Sequence, residues 1–335
     1  MIKNNPSIGI IGSGSWATAL VKLLSENKTP IYWYFRSEET ARSLIEEQHN
    51  PRYLTDVSLK VDKMNISNDI NEVVRNATYL ILVTPSAFLE SELQRIEEDL
   101  SDKIIFSAVK GIIPESFLLV GEHLMQHYKV PIAHFGVITG PCHAEEVALE
   151  RLSFLTIASA TQEYAEYMAQ QLKTRYIITN VSEDVIGTEY AAVLKNIYAL
   201  AAGIAHGLGY GDNYQSVLMS NAIKEMKRFI KKRYKMKRNI NDSAYLGDLL
   251  VTGYSLFSRN RTFGNMIGKG YTVNSAKSEL NMIAEGYYAA KSAYTINKEQ
   301  SKNQVKTPII NAVYKILYEG KNPKKTFLKL SGKLK

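Results

Sequence analysis

Residues Gly12-Ser13-Gly14-Ser15-Trp16-Ala17 close the short apolar run Ile8-Gly9-Ile10-Ile11 and open a stretch in which Ala17, Leu20, Leu23 and Leu24 recur at helical spacing. A strand that feeds a helix through such a turn gathers backbone N–H groups and the positive end of the helix dipole at one point, an arrangement suited to a diphosphate. Gly12 permits the tight turn, Gly14 lets the diphosphate approach the backbone, and Ala17 in the third position still lets helix and strand pack closely. A second strand, 31–35, follows Pro30, in the order that the motif needs. Its end reads Tyr34-Phe35-Arg36-Ser37, where an acid for a ribose 2′-hydroxyl is usual. Arg36 either accepts an additional 2′-phosphate there or is a solvated loop residue.

A second chemical signal is Lys195, set among Ala191, Ala192, Val193, Leu194, Ile197, Ala199 and Leu200. A helix so apolar around its circumference is buried, and its ammonium must either snorkel out or line a cavity. A desolvated lysine near a second cation has a lowered pKa, which suits proton transfer to a reacting oxygen near neutral pH. The alternative is a structural lysine that ties Asn196 or a carboxylate. Lys110, beside Gly111 at the end of the strand 104–106, is either a capping charge or a group facing the nucleotide crevice. The loop Thr139-Gly140-Pro141-Cys142-His143-Ala144 follows another strand, and the helical half adds Leu246-Gly247-Asp248-Leu249-Leu250 with Thr252, and Ser258-Arg259-Asn260-Arg261.

The elements that position these groups follow from periodicity. Apolar runs at 80–83, 104–106, 135–138, 154–157 and 176–179 read as further strands, with helical stretches at 88–100, 115–128 and 163–172 between them. Beyond Asp184 the strand signal stops, and 186–203, 216–233 and 276–295 show helical spacing. The fold class is therefore an α/β N-terminal domain over 1–183, with a doubly wound, mostly parallel sheet, followed by an all-α C-terminal domain over 184–335. The chain has 335 residues, 45% hydrophobic and 22% charged, with no apolar run long enough to span a membrane. The first strand begins within a few residues of Met1, which leaves no room for a signal peptide, and a lone Cys142 makes neither an intramolecular disulfide nor a thiolate metal site. A reducing cytoplasm fits.

The net charge of +8 is local. Residues 224–238 hold nine basic groups and one acid, and 321–335 hold six lysines and no acid, so the rest of the chain is net acidic. The first run alternates apolar and basic groups in a way that suits an anionic surface or nucleic acid, or that is simply a solvated helix face, the commoner case. His123 and His127, at i and i+4, have metal-ligand spacing but no third ligand, and read as a surface pair on a helix; no metal is expected.

In this order and spacing the pieces resemble the NAD(P)-dependent glycerol-3-phosphate dehydrogenases of the bacterial type. The resemblance covers nearly the whole chain: the glycine turn, then Val83-Thr84-Pro85-Ser86, Val109-Lys110-Gly111, Thr139-Gly140-Pro141, Leu194-Lys195-Asn196-Ile197, Gly207-Leu208-Gly209-Tyr210-Gly211-Asp212-Asn213, Leu246-Gly247-Asp248-Leu249, Ser258-Arg259-Asn260-Arg261 and Ala284-Glu285-Gly286-Tyr287. It implies a Rossmann-like first domain and reversible reduction of dihydroxyacetone phosphate to sn-glycerol 3-phosphate, a step that supplies glycerophospholipid synthesis, with NAD or NADP as cofactor and NADPH tolerated or preferred through Arg36. Lys195 is similar to the family's proton-transfer lysine, with Lys110 as the second cation and Asp248 orienting Lys195 or a substrate hydroxyl. Arg259 with Ser258 and Asn260 would hold the substrate phosphate, and Gly140 would let the substrate pack closely. Cofactor contacts would come from Gly12, Gly14, Ser15, Trp16, Arg36, Lys110, Ala144, Arg259, Ile283 and Glu285. Cys142 stands where relatives often carry a hydroxyl residue, a departure within the substrate loop.

The partner expected is a small phosphorylated three-carbon substrate, with no nucleic acid and no integral membrane association, and a homodimer is left open. Two other readings compete: a 3-hydroxyacid-type dehydrogenase of the same architecture, and a non-catalytic dinucleotide-sensing module that uses the basic run. Arg259-Asn260 favours a phosphorylated ligand over the first. Steep salt dependence without turnover would mark the second.

Overall fold

Short runs rich in β-branched and aromatic residues, buried on both faces in the central strands, build the sheet of this chain, whose computed structural model describes residues 6–280, 284–299 and 304–335. The strands are β1 (Ile8–Ile11), β2 (Ile31–Tyr34), β3 (Met64–Ser67), β4 (Tyr79–Leu82), β5 (Ile104–Ser107), β6 (Phe135–Thr139), β7 (Ser153–Ser159) and β8 (Ile177–Ser182). Their order is β3-β2-β1-β4-β5-β6-β7-β8, parallel from β3 to β6, with β7 antiparallel to β6 and parallel to β8. The helices accompanying them are α1 (Ser15–Glu26), α2 (Glu38–Glu47), α3 (Ile70–Asn76), α4 (Ser86–Leu93), α5 (Val120–Tyr128), α6 (Ala144–Ala148) and α7 (Gln162–Leu172). The Rossmann-like first half followed by helices is as the sequence implies.

The differences are local. β3 carries only two apolar residues and lies at the sheet edge, half-buried, so its pattern is weak. The helix read over 88–100 stops at Leu93, and the one read from Glu115 begins at Val120, after a turn in which Phe117 takes a left-handed φ of 56°. Within the 276–295 run one helix ends at Glu279 and another begins at Glu285; residues 281–283 lie outside the described residues. His123 is not on the surface: it is buried, 2.5 Å from Glu90 on α4, with its ring 4.6 Å from that of His127.

Two compact units emerge, one of Met1–Val109 with Val120–Val185, the other of Lys110–Leu119 with Ile186–Lys335. Residues 110–119 thus leave the first half, which a single boundary at 184 does not anticipate. The reason is burial: Ile112 and Leu119 pack in the core of the helical unit.

That unit comprises α8 (Val185–Gly207), α9 (Asp212–Arg233), α10 (Asp248–Tyr254), α11 (Arg259–Gly268), α12 (Val273–Glu279), α13 (Glu285–Glu299), α14 (Pro308–Tyr318) and α15 (Pro323–Ser331). Alanine-rich α8 is buried without interruption from Gly187 to Ala205, the behaviour of a helix that is apolar all round. On basic α9, Met226, Phe229 and Ile230 are buried while Lys224, Lys227, Arg228, Lys231 and Lys232 are exposed. Its apolar face is committed to the core, and its basic face is solvated. Glu225, buried on the same helix, accepts the Ile309 and Ile310 N–H groups at 2.9 and 3.0 Å and so caps α14; burial pushes its carboxyl up to about 7. No helix among the described residues is long and apolar enough to cross a membrane.

Helices α8 and α11 meet backbone to backbone. A Cβ at Gly203 would collide with the Arg261 carbonyl and lie 2.8 Å from Asn265 N, and one at Gly264 would collide with the Leu200 carbonyl. One turn on, Gly207 and Gly268 face each other, a Cβ on either lying 2.9 Å from the other's Cα. Small residues four apart on both helices allow this approach, and a methyl there must push two rigid backbones apart. Gly264→Ala is expected to destabilise the protein by about 1–3 kcal/mol or more, the usual cost of overpacking, measured as a lowered denaturant midpoint at unchanged slope.

Candidate active site

In the first unit the glycine turn lies at the C-terminal end of β1, next to β4, where strand order reverses and such sheets bind ligands. Gly12 has φ of 134°, a conformation L side chains avoid, and a Cβ there would stand 3.0 Å from the Val83 carbonyl carbon. A Cβ at Gly14, in contrast, would meet nothing within 4 Å. Gly14 precedes α1, whose first turn carries no acid, and Ser15 and Trp16 open that helix. Trp33 Nε1 donates to the Gly12 carbonyl at 2.8 Å, and buried Asn50 donates to the Ser13 carbonyl at 3.0 Å and to Thr18 Oγ1 at 2.8 Å. Asn50 escapes sequence reading because it lies far along the chain with no local pattern around it.

Other strands end nearby in sequence terms with the loops singled out above. Gly140, with φ of 114°, follows β6; Cys142 is buried after it, and Ala144 is the first residue of α6. Arg36 follows β2 and lies 3.6 Å from Glu92.

In the helical unit Lys195 Nζ, on buried α8, forms an ion pair and hydrogen bond with Asp248 Oδ1 at the start of α10. Asp248 enters through a five-residue π-helical turn, Ser243–Gly247, that runs directly into α10. Such wide turns redirect a side chain by changing the helical phase. Thr252 Oγ1 donates to the Asp248 carbonyl at 2.6 Å and lies 3.5 Å from the same Oδ1. Burial pulls the Lys195 ammonium down to about 7; Asp248 opposes that pull, and the neighbouring Lys110 ammonium reinforces it. Lys110 and Lys195 are thus brought together, within one unit rather than from two halves.

A chain of amides extends from this pair. The Lys110 carbonyl accepts Asn196 Nδ2 at 2.7 Å; Asn196 Oδ1 accepts Asn260 Nδ2 at 2.9 Å; Asn260 Oδ1 accepts the Gly286 N–H at 2.8 Å. Asn260 therefore joins α11 to α8 and α13. Ser258 Oγ accepts the Arg261 N–H at 3.3 Å and caps α11, whose first residue, Arg259, is half-buried. Sequence adjacency placed Ser258, Arg259 and Asn260 together, but the internal bonds of Ser258 and Asn260 were not legible in it. Glu285 begins α13; Ile283 lies outside the described residues. Among the described residues no group of three His, Cys, Asp or Glu side chains is arranged to hold a metal ion.

A glycine-turned helix start at the switch point of a mostly parallel sheet, accompanied by a helical unit with a buried lysine held by a carboxylate, is the equipment of a nicotinamide-dependent oxidoreductase. Two family models match, described as the NAD-dependent glycerol-3-phosphate dehydrogenase N-terminus over residues 7–165 and the C-terminus over 184–328. The chain belongs to the NAD-dependent glycerol-3-phosphate dehydrogenase family. It is 33% identical over 315 residues to a glycerol-3-phosphate dehydrogenase [NAD(P)+] of Macrococcus caseolyticus, covering 93% of this chain and 94% of that protein. It is 34% identical over 325 residues to the protein of that name from Chlorobium phaeobacteroides, covering 96% of each. The crystal structure of glycerol-3-phosphate dehydrogenase from Coxiella burnetii is similar with a TM-score of 0.89 at 25% identity, covering 97% of this chain and 98% of that one.

The opposing influences on Lys195 have a testable sign. Removing the Asp248 charge removes the one influence that raises the Lys195 pKa, so in Asp248→Asn the lysine should titrate below about 7, read by NMR of the 15N-labelled ammonium.

Proposed function

We propose that this chain interconverts dihydroxyacetone phosphate and sn-glycerol 3-phosphate with NADH or NADPH, and that Lys195 is the group that moves the proton. The observation that carries the assignment is the buried Lys195–Asp248 pair beside Lys110 in a member of this family. The nucleotide is supported by the open space at the Gly14 Cβ position and by the α1 start, which offers backbone N–H groups without an acid in its first turn. Ser15, Trp16, Arg36, Ala144 and Glu285 are its further contacts in this reading. Bound there, the reduced nicotinamide supplies the hydride that converts the C2 carbonyl to an alcohol.

The protein's own task is to manage the charge on the substrate. As the C2 oxygen gains negative charge, Lys195 Nζ donates to it and gives up its proton, and Asp248 holds Nζ in place. A lysine at its ordinary value of 10.5 would be a poor acid near neutral pH and, in the reverse direction, would stay charged and accept nothing. At about 7 it serves both directions. Lys110 adds a second positive charge for the substrate oxygens. Arg259 is the grip on the phosphate, a planar fork matched to that group, while Ser258 and Asn260 fix the helix start that carries it. Gly140 and Cys142 belong to the substrate loop. A cytoplasmic setting is part of the same reading, supported by a single, buried cysteine.

Purified protein mixed with reduced nucleotide and dihydroxyacetone phosphate should oxidise the nucleotide, followed by absorbance; no rate above background removes the assignment. Lys195→Met should lower kcat by about 10²–10⁴-fold with nucleotide affinity retained, and near-full turnover would exclude Lys195 as the proton donor. Reduction requires the ammonium and oxidation the free amine. In the wild type, kcat for reduction should therefore fall as pH rises through about 7, and kcat for oxidation should rise through the same point. Arg259→Ala should raise KM for dihydroxyacetone phosphate by about 10–100-fold, the loss of a charge-assisted fork on a dianion; an unchanged KM would remove Arg259 from the phosphate site.

A further inference from the structure

Beyond the end of β2 a second arginine, Arg95, shares a carboxylate with Arg36, and no local sequence pattern points to it. Glu92 on α4 is buried, with 7% of its side chain exposed, and its two oxygens are divided between two cations: Arg36 Nη1 lies 3.6 Å from Oε1, and Arg95 Nη1 lies 3.3 Å from Oε2. Tyr34, the last residue of β2, completes the cluster. Its hydroxyl accepts from Arg95 Nη1 at 2.5 Å and donates to Glu92 Oε2 at 3.2 Å, and the Arg95 guanidinium lies over its ring, 5.7 Å from the centroid. Burial, then the nearby Glu92 charge, pushes the Tyr34 phenol up to about 12, so it remains a neutral donor.

The cluster carries two positive charges and one negative. Tyr34 joins β2 to α4 by donating directly to Glu92, so neither arginine is needed for that contact. Arg36 adds a second cation, with 72% of its side chain exposed, and Arg95 itself is 42% exposed. In both residues the hydrogen bonds and ion pair on Glu92 and Tyr34 use only Nη1, which leaves the remaining forks for a ligand. Sharing Glu92 lets the two guanidiniums stand close without uncompensated repulsion, and the pair still has a net charge of +1. This is the end of β2, where a nucleotide's ribose 2′ position is read, and the acid beside Arg36, Glu92, is buried and already engaged by both arginines and by Tyr34. The first acid of the following helix, Glu38, is paired with Arg42 at 2.9 Å. A hydroxyl gains little from two guanidiniums, whereas a phosphate dianion can engage both.

We propose that Arg95, held beside Arg36 by the shared carboxylate of Glu92, is a second cation for the adenosine 2′-phosphate, and that the pair makes this chain select NADPH over NADH. The proposal rests on the nucleotide site assigned above and adds a specificity-determining residue to it.

Isothermal titration of the full-length protein with 2′,5′-ADP and 5′-ADP, and with NADPH and NADH, tests this without turnover. The wild type should bind the 2′-phosphorylated member of each pair at least about tenfold more tightly, and Arg95→Gln should shrink that ratio by about tenfold, as should Arg36→Gln. The wild-type preference should also weaken as salt is raised, since it is made of exposed charges. Equal binding of the two members by the wild type, or an Arg95→Gln ratio within twofold of wild type, overturns the proposal. A loss in Arg95→Gln that falls equally on both members assigns Arg95 a structural role and overturns it too. The test also separates this proposal from the activity assignment: if the protein binds these nucleotides yet reduces no dihydroxyacetone phosphate, the assigned reaction fails while the ratio still reports on Arg95.

Discussion

Taking an ammonium out of water costs several kcal/mol unless an anion accompanies it, and the helical unit is organised around meeting that requirement at Lys195. Asp248 supplies the anion, and Thr252 and the π-helical turn before α10 hold it in place. Lys110, brought in by a segment that leaves the first unit, pushes the other way. The outcome is a lysine balanced between its two protonation states near neutrality, which is what a reversible proton transfer requires. An exposed lysine would be held charged by water, and a buried one without Asp248 would be neutral.

The geometry around that pair is set by backbones more than by side chains. At Gly203, Gly207, Gly264 and Gly268 the main chains of α8 and α11 meet with no side chain between them, so the distance between the helix bearing Lys195 and the helix bearing Arg259 is set by contact between rigid backbones. Asn196 and Asn260 then tie the same two helices by a direct amide bond, and Gly286 brings α13 onto Asn260. A substrate with a carbonyl and a phosphate a fixed number of bonds apart is best recognised by groups whose separation is equally fixed. Long flexible side chains on well-separated helices would not provide that.

In the first unit the glycine turn is similarly over-determined. Trp33 and Asn50 hold the Gly12 and Ser13 carbonyls, so the backbone in its left-handed conformation is braced from two sides. A turn braced in this way presents its N–H groups without reorganising, which is where preorganised anion sites gain their strength.

Much of this was written locally in the sequence. β1, the glycine turn and α1 are adjacent in the chain, so strand, turn and helical periodicity announce them together; the apolar run around Lys195 marks a cation in a buried helix, and Ser258-Arg259-Asn260 is contiguous. Tertiary structure decided what depends on residues far apart in the chain. It decided that 110–119 packs with the helical unit, that edge strand β3 forms at all, that His123 is buried against Glu90, that Asn50 reaches the Ser13 carbonyl and that Arg95 reaches Tyr34. The glycines of the α8–α11 crossing are visible as letters, but their meaning appears only when the two helices touch. Periodicity and turn chemistry act over a few residues and can be read from a string; burial, ion pairing and close approach are set by which surfaces the folded chain brings together.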